Sequence, residues 1–186
     1  MNFNTRSNLA GTHAFLSPSK PAWLNYDDDK LDATFFKSMD ARRGTELHEL
    51  AYNLIRLGVN LPRNSKTLNQ YVNDAIGYRM TPEALLYYSD NCYGHADTCG
   101  FRDNTLRIHD LKNGVNEASF AQLEIYAALF CLEYKFNPFQ IAIELRIYQN
   151  DGVKVAQPEP DVIVHVMDKI RVFSRRIDEL KLEVSS

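Results

Sequence analysis

From Asp40 to Gly58 the apolar residues Leu47, Leu50, Ala51, Leu54, Ile55 and Leu57 recur at helical spacing, with Asp40 placed to cap the start and Gly58 to stop the end. A second helix is predicted from Ser65 through Leu68, Tyr71, Val72, Ala75 and Ile76 to about Arg79. Thr81-Pro82 breaks that pattern. Three strands follow, Glu83 to Ser89, Cys92 to Phe101 and Thr105 to Lys112, closed by the turn signal Asn113-Gly114. Their short connections predict an antiparallel meander. A helix capped at or near Ser119 carries Phe120, Leu123, Tyr126, Ala127, Phe130 and Tyr134 and ends at Asn137-Pro138. Ile141 to Gln149 and Val153 to Gln157 form another hairpin around Asn150-Asp151-Gly152. The last element is an amphipathic helix from Asp161 carrying Val162, Val166, Ile170, Phe173, Ile177 and Leu180, with Arg171, Arg175 and Arg176 partly on its other side. Residues 1–37 hold no sustained period and read as an extended arm with a turn or short helix. Asp27-Asp28-Asp29 reads as a solvated acidic loop, because three consecutive side chains splay apart on any regular backbone.

The hairpin between the second and third strands carries candidate chemistry. If it is symmetric about Asp103-Asn104, Asp97 lies directly across from Asp110, and Lys112 shares the face of Asp110. Like charges placed opposite each other are destabilising, so this pair needs a compensating cation. A divalent metal fits, since Mg²⁺ is held by one or two carboxylates plus substrate phosphates. Such an ion polarises a phosphodiester and lowers the pKa of water, while Lys112 stabilises negative charge or helps to activate that water. A three-residue loop would put Asp97 on the opposite face.

Composition narrows the class. The 186 residues are read as one domain, with residues 1–37 as an N-terminal arm, 40–134 as the core and 140–186 as a C-terminal hairpin and helix. A hydrophobic content of 45% with 24% charged residues fits a globular protein, and a net charge of −3 argues against a coat of basic residues while leaving room for a local basic groove. Three cysteines, Cys92, Cys99 and Cys131, are too few for a disulfide scaffold and fit a reducing cytoplasm. No stretch approaches the roughly 18 apolar residues of a membrane span, and the N-terminus lacks an apolar signal core. There is no glycine-rich phosphate loop and no nucleophile elbow. A zinc site at Cys92, His95, Cys99 and His109 is the competing metal hypothesis, disfavoured because Cys92 would point away from His95 and Cys99 on a strand.

Taken alone, His48 at the edge of its apolar stripe reads as structural, and Gln122 with Tyr126, four apart, reads as a flank of a buried stripe. In order along the chain, however, Gly44-Thr45-Glu46-Leu47-His48-Glu49, Gly94-His95-Ala96-Asp97, Ile108-His109-Asp110-Leu111-Lys112-Asn113-Gly114 and Gln122-Leu123-Glu124-Ile125-Tyr126-Ala127 resemble the motifs of the PD-(D/E)xK nuclease superfamily. The branch they resemble is the RecB-like one, including small phage-encoded members, whose N-terminal signature the stretch from His13 to Trp23 also resembles.

The resemblance implies an α/β (α+β) fold with a restriction-endonuclease-like core: helix, three strands, helix, strand, with a mixed central sheet flanked by helices. It implies that His48, Asp97, Asp110 and the carbonyl of Leu111 hold Mg²⁺ or Mn²⁺, that Lys112 is the catalytic lysine beside Asp97 and Asp110, and that Gln122 and Tyr126 position the site and the DNA. Ala96 stands where the motif name has proline, a common departure in this branch. The iron-sulfur members need four cysteines, so no cluster is expected with three. The implied activity is metal-dependent hydrolysis of DNA phosphodiesters, as an exonuclease in phage recombination or DNA processing in the host cytoplasm. DNA is the implied partner, with a single-strand annealing or other recombination protein as a second and an oligomer as an option. The alternative is a non-catalytic DNA-binding or assembly module on a nuclease-like fold.

Overall fold

The computed structural model describes residues 15–16, 21–114 and 116–184, with the backbone alone at residues 40 and 41. Residues 13–14 and 17–20 of the N-terminal signature lie outside the described residues. The chain divides into two compact units, Met1–Arg43 and Gly44–Ser186, and the division falls within the first helix.

In the first unit a 3-10 turn, Pro21–Asn25, leads into helix α1, Asp28–Leu57. The helix starts well before Asp40. Asp27 is its cap, its Oδ1 accepting the N–H of Lys30 at 2.8 Å, and Asp28 and Asp29 occupy the first turn, where carboxylates complement the helix dipole. The acidic triplet is therefore a helix start and not a solvated loop. Upstream of residue 44 the apolar period is weak because Phe35 and Phe36 stay 45% and 65% exposed, so no buried stripe marks this part of the helix in the sequence.

The second unit takes the rest of α1, which buries Ala51 and Ile55 and ends as expected at Gly58. Gly58 has φ +68°, and the amides of Gly58 and Val59 donate to the carbonyls of Ile55 and Leu54, the paired bonds of a Schellman stop. Helix α2, Thr67–Gly77, lacks a local side-chain cap, and Asp151 supplies one from a distant turn, accepting the Thr67 N–H at 2.9 Å.

The sheet has five strands in sequential order: β1 Thr81–Ser89, β2 Cys92–Arg102, β3 Thr105–Leu111, β4 Ala142–Gln149 and β5 Gly152–Ala156. The β3–β4 pair is parallel and the others are antiparallel. Helix α3, Ala121–Tyr134, makes the crossover that a parallel pair requires, and helix α4, Pro160–Val184, packs on α3. The fold is thus α+β, a mixed sheet flanked by helices. No helix among the described residues is long and apolar enough to cross a membrane.

The β2–β3 turn sets the register of the candidate site. Asp103 and Asn104 have φ of +50° and +56°, the left-handed pair of a two-residue type I′ turn, whose twist matches that of the flanking strands. Pairing runs from Arg102 with Thr105 to Thr98 with His109, symmetric about Asp103-Asn104 as the sequence predicts. The ladder ends there, and the next residue of β2, Asp97, instead takes the Leu111 N–H on its side chain, beside Asp110.

Two apolar layers hold this sheet. On one side Leu86, Ala96, Ile108 and Leu145 pack with Leu123 and Ala127 of α3 and Ile163 of α4; on the other, Leu111 and Tyr148 pack with Tyr71, Val72 and Ala75 of α2 and with Ala51 of α1. Ile108 lies on the central strand, 1% exposed, one alternation below Asp110. Ile108→Ala is expected to cost about 2–5 kcal/mol, a large share of the roughly 5–15 kcal/mol that keeps a domain folded. Urea unfolding followed by circular dichroism measures it.

Candidate functional site

Four elements meet at the end of β3. Asp97 is fixed from both sides: its Oδ2 accepts the Leu111 N–H at 2.8 Å, and its Oδ1 lies 3.4 Å from His48 Nδ1 on α1. Asp110 is 3% exposed, and its Oδ2 stands 3.0 Å from Lys112 Nζ. That ion pair is the contact nearest to Asp110 Oδ2 among the described residues. Lys112 Nζ also donates to Gln122 Oε1 at 3.2 Å, Gln122 Nε2 reaches Tyr126 Oη at 3.5 Å, and Tyr126 Oη donates to the His95 carbonyl at 2.6 Å. Gln122 and Tyr126 thus run from the lysine to the backbone of β2, a polar string and not merely a flank of the α3 core. Gly94 makes room for it, since a Cβ there would lie 3.1 Å from Tyr126 Cε1.

The structure adds Glu83. Ligand-capable atoms of His48, Glu83 and Asp97 lie within 4.8 Å of one another, whereas Asp110 stays with Lys112 outside that group. Pro82 pairs with Thr98 and Ala84 with Ala96, so Glu83 sits across from Asp97 on the far side of β2 from Asp110. Symmetry about the Asp90-Asn91 turn would have placed Glu83 opposite Thr98; the register shift between Tyr87 and Ser89 is what brings it opposite Asp97.

Both strands change face at this point. Ala96 and Cys99 pack on the α3 side although three residues apart, and Thr98 turns to Tyr71 on the other side. Strict alternation forbids that, so one residue, Asp97, falls out of phase. Glu83 absorbs the matching turn in β1 with φ +49°, a left-handed conformation that costs a non-glycine residue of order 1–3 kcal/mol. Strain of this kind concentrates where a site over-determines the backbone.

The electrostatics are those of an acid-rich site. Burial raises the pKa of Asp110, the charge of Asp97 adds to the effect, and Lys112 opposes it. His48 is also raised: its hydrogen bond to Asp97 is the main cause, burial opposes it, and the charges of Asp97 and Asp110 and the Leu111 backbone reinforce it. Three carboxylates and one imidazole are hard and borderline donors that suit Mg²⁺ or Mn²⁺.

The zinc hypothesis finds no support in the geometry. His109 is fully buried on the α2 side, its Nδ1 3.3 Å from Tyr148 Oη, which donates to Asp74 at 2.7 Å. Burial, then Arg146 and Arg107, lowers its pKa to about 3 and keeps it neutral. His95 faces solvent, and Cys99 is buried with its thiol pushed up to about 12. No known family model matches the chain, and no curated protein matches it.

The two shifted groups give opposite pH signatures. A raised carboxyl pKa means that the folded state disfavours the Asp110 charge, so this group destabilises the protein progressively as pH rises from 3.8 through its folded value. The His48–Asp97 pair contributes stability that is full below pH 6.5 and lost as pH rises through the raised His48 value. Asp110→Asn is therefore expected to melt higher than the parent at neutral pH, with the gap closing toward pH 3.8. His48→Gln should flatten the melting temperature above pH 6.5. Thermal melts across pH in metal-free buffer read both.

Proposed function

We propose that this chain is a metal-dependent deoxyribonuclease of the PD-(D/E)xK type, RecB-like branch, built on a restriction-endonuclease-like core. The observation that carries the reading is the convergence of His48, Asp97, Asp110 and Lys112 from helix α1 and two neighbouring strands onto one patch. Leaving aside the added helix α2, the element order of helix, antiparallel meander, helix and parallel strand is compatible with that core and supports the reading.

His48, Asp97 and Glu83 offer the close ligand group, with Asp110 and the Leu111 carbonyl beside it. Asp110, 3% exposed and beside the charge of Asp97, has chiefly the Lys112 ammonium to balance it, and a second cation would relieve the remaining acid excess. When bound, Mg²⁺ or Mn²⁺ supplies Lewis acidity toward a phosphodiester oxygen and makes water more acidic. The chain does the rest. Lys112, held between Asp110 and Gln122, keeps a positive charge where negative charge develops on the phosphoryl oxygens during in-line attack. Gln122 and Tyr126 fix the lysine relative to β2, so the site does not reorganise during the reaction. The likeness to small phage-encoded nucleases favours exonuclease action on DNA ends in phage recombination or DNA processing.

Purified protein is expected to degrade end-labelled DNA with Mg²⁺ or Mn²⁺ and to spare covalently closed circles. Lys112→Ala should lower the rate by about 10²–10³, the scale of losing one electrostatic stabiliser of the transition state. Cleavage of circles would replace the exonuclease with an endonuclease. No metal-dependent cleavage of either substrate, with Lys112→Ala without effect and metal binding that depends on Asp97 and Asp110, would instead establish a non-catalytic DNA-binding module.

A further inference from the structure

The change of face at Glu83 and Asp97 divides the β1–β2 ribbon into two unlike surfaces. Ala84, Leu86 and Ala96 pack on α3, while the opposite face presents Leu85 across from His95 and Tyr87 across from Tyr93. Leu85, Tyr87 and Tyr93 are 49%, 40% and 58% exposed. The two tyrosine rings lie 6.1 Å apart at 30°, which makes a nearly continuous aromatic step. Tyr87 Oη is engaged with Asp90 at 2.9 Å, so its ring is held in place and offers its π-face.

This face continues from the mouth of the acid cluster. His48, Glu83 and His95 line an open cavity of about 530 Å³ together with Tyr52 of α1. Exposed Arg56 lies 5.8 Å above the Tyr52 ring and sets a cation beside that mouth. Moving outward from the Glu83–Asp97 pair, the ribbon presents Leu85 with His95 and then Tyr87 with Tyr93. At about 3.4 Å per residue, the tyrosine pair stands roughly 13 Å from the acids, a few nucleotides of extended strand.

We propose that the outer face of the β1–β2 ribbon is a stacking track that receives the bases of an unpaired nucleic-acid strand and leads it to the acid cluster. The substrate class rests on the reading of that cluster as a nuclease centre. The strand is unpaired because a ring can stack only on a base whose π-face is open, and inside a duplex those faces are covered by neighbouring bases. The apolar step binds bases while exposed Arg56 meets a phosphate, so the grip of a chain of net charge −3 on a polyanion would rest chiefly on stacking and needs no metal.

The test is anisotropy titration of a labelled oligothymidylate and of a blunt-ended hairpin duplex with the full chain in metal-free buffer. Tyr93→Ala, alone and with Tyr87→Ala, should weaken oligothymidylate binding by at least about ten-fold, within the range of one base stacked on one ring. Tyr93→Phe should restore it to within about two-fold, and the weaker duplex binding should hardly move. Unchanged oligothymidylate affinity in the alanine variants, an equal loss on the duplex, or a wild-type chain that binds no oligonucleotide would each overturn the track. A dimer that the alanine variants split in sedimentation would overturn it too, by giving the face to a second copy. Binding is read without metal and without turnover, so a failed track is distinguishable from a failed nuclease reading, which cleavage alone decides.

Discussion

Two carboxylates held side by side beyond a two-residue turn impose the constraint around which the second unit is arranged. The type I′ turn at Asp103-Asn104 fixes the register as far as Thr98 with His109, and the Leu111 N–H then holds the Asp97 carboxylate beside Asp110. Their repulsion is not relieved by water, since Asp110 is 3% exposed. Each neighbour can be understood as a response to that charge. The Leu111 amide is spent on Asp97, Lys112 on Asp110, and α1 delivers an imidazole whose pKa is raised, chiefly by its hydrogen bond to Asp97. Glu83 adds a third negative charge, so the local balance remains acidic, and a bound cation would be the natural complement.

Holding such charges apart from the core requires rigid support. The central strand places Ile108 below Asp110 and Leu111 beyond it, one packed on α3 and the other toward α2, so displacement of either acid disturbs a filled layer. On the α2 side a second polar system does the same work: Arg146 bonds Asp74, Tyr78 and Glu144, and Tyr148 bonds Asp74. Burial and the two nearby guanidinium groups keep His109 in that system neutral. The same strand therefore presents a neutral histidine among bonded polar groups to one side and a buried, lysine-paired acid to the other.

Much of this was legible in the chain because it depends on local rules. The hairpin register follows from the two-residue turn, the second part of α1 from its stripe and Gly58, and the partnership of Gln122 with Tyr126 from their spacing on a helix. The start of α1 was not legible, because Phe35 and Phe36 are exposed and leave no buried period for the eye to follow. Glu83 was missed for a different reason. Its role comes from a strand edge where both chains leave alternation together, and period-two reasoning has no term for a left-handed glutamate. The proposed roles of His48, Gln122 and Tyr126 come from the resemblance alone; the geometry shows only that these side chains meet at the acids and Lys112.

The loss of alternation at Glu83 and Asp97 also links the site to the surface beyond it. Had the strands kept phase, the α3-facing side of the ribbon would have continued straight from Cys99, and Ala96 could not have shared its layer. The turn sends small and aliphatic residues, Ala84, Leu86, Gly94 and Ala96, inward against α3, where a side chain larger than glycine at 94 would crowd Tyr126. It sends the aromatic pair outward on the side where the acid cluster opens. One backbone irregularity thus gathers the third carboxylate, seats the tyrosine that braces Lys112, and aligns an exposed aromatic step with the mouth of the site. A strained conformation at a non-glycine residue persists only when the surrounding structure over-determines it.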